Sequence, residues 1–173
     1  KVFRTTFHPD SDYSTFVGTY KPESDGGTIR YAFVPQTFTN AYIEAYKDID
    51  TPVYLIIEEI NRGNCAQIFG DLFQLLDRGS DGYSEYSINA DKDLRDYIRH
   101  ELTKHKGIDQ NTDPEGIEDG KLRLPPNLHI LATMNTSDQS LFPMDSAFKR
   151  RWDWEYVPIQ YEGATSDSFT ITL

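Results

Sequence analysis

Val53-Tyr54-Leu55-Ile56-Ile57-Glu58-Glu59 decides how this chain is read. Pro52 introduces a continuous apolar run of strand length, and the run ends in two adjacent carboxylates. A run without alternation predicts a strand buried on both faces, as in a parallel sheet covered by helices. The C-terminal end of such a strand opens onto the crevice where α/β sheets place ligands. One carboxylate there can hold Mg²⁺ through its water shell, and the next can orient an attacking water. The plain alternative is a strand end emerging into solvent.

Working outward, Leu128–Met134 is a second buried strand, and it delivers Asn135-Thr136-Ser137-Asp138 to the same edge. An Asn at that point can hydrogen-bond the attacking water or a terminal phosphate, although Asn, Ser and Asp also favour plain turns. Val2–His8 alternates and reads as a strand. Beyond it lies a loop with a polar turn around Ser24–Gly27, and Tyr31–Val34 reads as a short strand stopped by Pro35. Helical periodicity marks Gln36–Asp48, Cys65–Leu76 and Asp91–Lys106. Tyr83–Ile88 reads as a hairpin strand, Pro143–Arg151 as a short helix and Trp154–Val157 as a final strand. Gly107–Gly120, rich in Gly, Asp and Glu, reads as a mobile loop. Strands alternating with helices indicate an α/β sheet.

Bulk composition narrows the function. The 173 residues suffice for one domain with a core. The formal net charge of −11 argues against this chain being the main nucleic-acid contact, which needs clustered Lys and Arg. The single Cys65 excludes an internal disulfide and a multi-cysteine zinc site, and the four His residues lack a ligand spacing. Neither apolar run approaches a membrane span, and no signal-peptide pattern opens the chain, so a cytoplasmic protein is expected. Opening directly on a strand without an initiator Met, the chain is expected to begin inside a larger protein.

A third stretch, Asp145–Trp152, carries the basic run Lys149-Arg150-Arg151. Alone it is a solvated helix end, where cations also suit the dipole. Taken with the other two it makes the chain recognisable. Thr6-Phe7-His8-Pro9 with Tyr20-Lys21-Pro22, then Leu55–Asn64 continuing to Phe69-Gly70, then Pro126-Asn127, Met134–Leu141, Asp145, Ala147 and Arg150-Arg151 occur in order. This resembles the McrB family, the GTP-hydrolysing AAA+ subunits of modification-dependent restriction systems.

The resemblance implies a partial AAA+ P-loop nucleotide hydrolase core over residues 1–160, a mainly parallel sheet flanked by helices. An insertion at 90–120 and a tail at 161–173 complete the expected organisation. Glu58 would take the Mg²⁺ position, Glu59 would activate water, and Asn135 would be the sensor with Asp138 beside it. Arg150, with Arg151 as the alternative, would reach a neighbouring subunit's nucleotide. Asn61 and Arg62 would lie beside the nucleotide site or at the subunit interface. GTP (or ATP) and Mg²⁺ are the implied cofactors. A homo-oligomeric ring, a McrC-like nuclease subunit and DNA held by another domain are the implied partners.

Three departures accompany the resemblance. The family usually has Asp where Glu58 stands, and Ser137 and Gln139 replace the commoner Ala and Arg. No G-x-x-x-x-G-K-[ST] occurs, so the phosphate-binding loop is not within this chain and these residues alone are expected to be inactive. The competing readings are a degenerate AAA+ scaffold without catalysis and an ATP-using AAA+ protein of another branch.

Overall fold

The computed structural model describes residues 1–135 and 142–157. Its centre is a parallel sheet of three strands, β1 (Val2–Thr6), β4 (Val53–Glu58) and β7 (Leu128–Ala132), in the order β1-β4-β7. The register pairs Thr6 with Glu58 and Ile57 with Ala132, so the strands end together at one edge. Between β1 and β4 lie α1 (Tyr13–Phe16), an antiparallel hairpin of β2 (Gly18–Asp25) and β3 (Thr28–Pro35), and α2 (Thr37–Lys47). Between β4 and β7 lie α3 (Cys65–Phe69), β5 (Ile88–Asn89), α4 (Lys92–Lys106) and β6 (Lys121–Leu122). A single helical turn, α5 (Ser146–Lys149), follows β7.

α2 packs on β1, β4 and β7 and buries one sheet face. Val53, Leu55, Ile57 and Leu128 point into it and are buried, each apolar side chain contributing about 1.5–3 kcal/mol relative to exposure. Phe7, Phe16, Phe38, Phe69 and Phe148 form a linked aromatic cluster with ring centroids 5.1 to 6.1 Å apart. The opposite face differs from expectation. Val2, Tyr54 and Leu131 remain 62%, 37% and 52% exposed, so β4 is buried on one side only among the described residues. An apolar run records what a strand can tolerate on both faces, whereas burial depends on which elements cover it.

Three further expectations are corrected. The helix foreseen over Cys65–Leu76 breaks at Gly70, whose φ of 51° and ψ of −132° suit glycine alone, and continues as a 3₁₀ helix over Gly70–Leu76. Trp154–Val157 is not a strand; Trp154, Tyr156 and Val157 stand exposed, and an extended segment becomes a strand only beside a partner backbone. Gly107–Gly120 is held in place rather than loose. Arg99 Nε donates to Asp113 at 2.6 Å, the Tyr42 hydroxyl donates to the Gly116 carbonyl at 2.6 Å, and Ile117 is buried. Gly116, at φ 102°, lies against the Tyr46 ring so closely that a Cβ would come within 2.8 Å of it.

The helix expected over Asp91–Lys106 is α4. Asp91 caps it by accepting from the Asp93 and Leu94 amides, and Gly107 closes it in the left-handed conformation. The hairpin strand β2 was not expected; its register with β3 places Tyr20 opposite Phe33, and Phe33 packs on Tyr97 of α4. The strand foreseen at Tyr83–Ile88 reduces to β5 and an isolated bridge between Arg78 and Ser84. Residues 161–173 lie outside the described residues.

Candidate functional site

β4 carries Glu58 to the C-terminal edge of the sheet, on the face left open. Thr6, its register partner, donates its hydroxyl to Glu58 Oε2 at 3.1 Å, and Arg4 Nη1 lies 3.4 Å from Oε1. Both belong to the alternate residues of β1 that share this face. Sequence reading missed them, since a β1 residue becomes a neighbour of Glu58 only once the register is known.

Glu59 turns the chain sharply. Its φ of 55° and ψ of 45° are left-handed, a conformation that costs a residue with a Cβ roughly 1–2 kcal/mol. Such strain persists where surrounding bonds determine it. Thr133, just past β7, supplies them. Its amide donates to the Ile57 carbonyl at 2.9 Å, and its carbonyl accepts from the Ile60 amide at 2.9 Å. Its hydroxyl lies 3.4 Å from the Glu59 amide, a weak bond at best. The turn bearing Glu59 is thus bound to the strand that leads to Asn135.

Asn61 follows in the 3₁₀ turn Ile60–Arg62 and is only 4% exposed. Its Nδ2 donates to the Asn135 carbonyl at 2.9 Å, and its own carbonyl accepts from the Phe142 amide at 2.9 Å. The Arg62 side chain and Asn135 are exposed at this edge. Glu58, Glu59, Asn61, Arg62 and Asn135 therefore assemble at the ends of β4 and β7, while Asp138 lies outside the described residues.

The basic segment sits on α5, which Asp145 caps by accepting from the Phe148 amide at 2.6 Å. Phe148 inserts into the aromatic cluster and fixes the helix to the core. The two candidate arginines then part. Arg150 is exposed. The Arg151 side chain is 8% exposed; its Nε and Nη2 each lie 2.9 Å from Asp77 Oδ2, and its guanidinium lies 4.6 Å from the Phe73 ring centre.

Among the described residues no group of three His, Cys, Asp or Glu is placed to hold a metal. Mg²⁺ needs no such cage, since one or two carboxylates, water and substrate phosphates can hold it, and Glu58 is a carboxylate that could take part. Cys65 is buried, and burial pushes its thiol up to about 12, which leaves no thiolate for chemistry at neutral pH. His129 stacks on Tyr54 and His100 meets Gln110, so neither forms a metal pair.

Residues 1–152 match the AAA domain of the dynein-related subfamily. The chain belongs to the dynein-related AAA family. Within that family it is related to McrB-like proteins of restriction systems, as the sequence resemblance implied. It is 37% identical over 192 aligned positions to the type II restriction enzyme BsuMI component YdiS of Bacillus subtilis (strain 168), covering 98% of this chain and 52% of that protein. It is 24% identical over 157 positions to the type IV methyl-directed restriction enzyme EcoKMcrB subunit of Escherichia coli (strain K12), covering 89% of this chain and 28% of that protein. The AAA chain thus spans about half the length of one curated relative and less of the other. No helix among the described residues is long and apolar enough to cross a membrane.

Proposed function

We propose that this AAA chain is the water-activating and metal-binding part of a nucleotide hydrolase, with GTP as substrate, in a modification-dependent DNA restriction system. The observation that carries the reading is the tie between the Glu59 turn and the strand leading to Asn135, through Thr133 and Asn61. A carboxylate and an amide held at one strand edge suit the orientation of an attacking water. Glu59 would accept the water's proton, and Asn135 would hydrogen-bond the water or the terminal phosphate. Asp138 would complete the water-positioning group.

Glu58 would hold Mg²⁺, which when bound neutralises charge on the substrate phosphates. Thr6 donating to Oε2 keeps that carboxylate oriented while leaving lone pairs open. The phosphate-binding loop must come from outside these residues, which alone are expected to hydrolyse little.

Arg150 is the choice for a residue acting on a neighbouring subunit's nucleotide, because it is exposed whereas Arg151 is occupied by Asp77. A charge supplied across an interface stabilises the transition state only in an oligomer, so a homo-oligomeric ring accompanies this reading. A McrC-like nuclease partner and DNA binding by another domain belong to this reading, supported by the likeness to a restriction-enzyme subunit and by the acidic charge of −11. A cytoplasmic location is proposed with it.

A non-catalytic scaffold is the second reading, favoured by the Arg4–Glu58 pair, which engages the carboxylate meant for metal. Binding of fluorescent GTP and ATP with Mg²⁺ to the full-length protein separates the readings. Tight GTP-preferring binding with turnover supports the hydrolase, ATP preference points to another AAA+ branch, and binding of neither leaves the scaffold.

A further inference from the structure

We infer that Asn61 is a positioning residue that sets the distance between the Glu59 turn and the Asn135 sensor. The inference rests on the hydrolase reading above and adds to it a residue that acts through its neighbours rather than on nucleotide.

Asn61 lies two positions beyond Glu59 and is almost fully buried. Its side-chain amide faces the Asn135 carbonyl at 2.9 Å, and an atom so close to a carbonyl oxygen must be the nitrogen donor. Its main-chain carbonyl meets the Phe142 amide at 2.9 Å. Asn135 and Phe142 flank residues 136–141, so both flanks of the sensor segment are tied to one residue. Side chain holds one flank and backbone the other.

The bond to Asn135 is made to its main chain. It therefore acts on where the Asn135 backbone, and with it the side chain, starts. Asn61 Oδ1 is buried without a partner among the described residues. The amide nitrogen is thus the atom of this side chain that the described structure engages. Asp has nearly the same shape as Asn but would turn a carboxylate oxygen toward the Asn135 carbonyl, which repels.

The test uses the full-length protein with Mg²⁺ and GTP or ATP, beside Glu59→Gln and Asn135→Ala as controls. Misplacing a reacting group by about 1 Å costs on the order of 100-fold. Asn61→Ala and Asn61→Asp are expected to lower kcat by about 10- to 100-fold with nucleotide Kd nearly unchanged. The double variant Asn61→Ala/Asn135→Ala is expected to turn over no slower than Asn135→Ala alone, since without the Asn135 side chain Asn61 has no sensor group left to position. Hydrogen exchange across 135–142 is expected to rise in Asn61→Ala without nucleotide.

Unchanged kcat, losses that multiply in the double variant, or unchanged exchange would each overturn the inference. If Asn61→Ala does not fold, Asn61→Gln decides: it keeps a donor on a longer arm, and wild-type turnover in it counts against positioning. A wild-type protein that binds nucleotide but shows no turnover overturns the hydrolase reading itself. That outcome differs from an active wild type with indifferent Asn61 variants, which overturns this inference alone.

Discussion

The guanidinium of Arg151 is fastened to the carboxylate of Asp77, 74 residues earlier in the chain, with Nε and Nη2 both 2.9 Å from one oxygen. Its neighbour Arg150 stands exposed on the same short helix end. Adjacent arginines with one chemistry thus stand in different surroundings. Arg150→Ala is expected to lower turnover by at least about 10³-fold, as loss of a transition-state charge does, with little change in melting temperature. Arg151→Ala should instead lower stability by about 2 kcal/mol, read in urea unfolding, because a charge-assisted pair is lost. Equal loss of stability in both variants would defeat the division.

Glu59 holds a left-handed backbone that a glycine adopts without strain. Glu59→Gly is therefore expected to abolish hydrolysis while leaving stability unchanged or raising it by up to about 1 kcal/mol. Glu59→Gln should also abolish hydrolysis but retain bound nucleotide. A Glu59→Gln protein that turns over at the wild-type rate removes Glu59 from the water-activating role.

Tyr42 is fully buried, with its hydroxyl 2.6 Å from the Gly116 carbonyl and 3.1 Å from the Arg123 carbonyl and amide. Tyr42→Phe leaves the Gly116 carbonyl and the Arg123 amide without that partner, while Tyr46 still donates to the Arg123 carbonyl, and should cost about 1–3 kcal/mol. Chemical denaturation reads the loss directly. A cost near zero would mean that the 107–120 segment is held by Arg99–Asp113 and the Tyr46 contact instead.

Burial raises the Cys65 thiol and the Tyr13 hydroxyl to about 12, and holds the Tyr42 and Tyr46 hydroxyls above the ordinary tyrosine range as well. All four are neutral when protonated, so their folded forms hold protons that the unfolded chain releases near its ordinary values. Their contribution to stability is present below about pH 8.5, the unfolded thiol value, and is lost as pH rises toward 12. Melting temperature is expected to fall progressively above pH 9. In Cys65→Ala that decline should begin later, near the tyrosine range. An identical onset in both proteins would refute the thiol's share.

Much of the site was legible without coordinates because its signals are local. A buried strand followed by Glu58-Glu59, and another followed by Asn135, are read from neighbours in sequence, and both strands lie where expected. The helix cap at Asp91 and the α2 periodicity are local in the same sense. Burial on both faces, a final strand at Trp154–Val157 and a loose 107–120 segment all depended on distant elements, and all three expectations fell.

Sequence by itself determined the two central strands, the main helices, and the carboxylates and amide that follow those strands, all from periodicity, capping and spacing, whose energies act over a few residues. The family was legible from the resemblance of three separated motifs. Only tertiary structure decided that Glu59 is left-handed under the hold of Thr133, that Asn61 bonds both Asn135 and Phe142, and that Asp77 claims Arg151 and leaves Arg150 exposed. Each of these is a contact between residues far apart in the chain, set by parallel register and by a shared aromatic core.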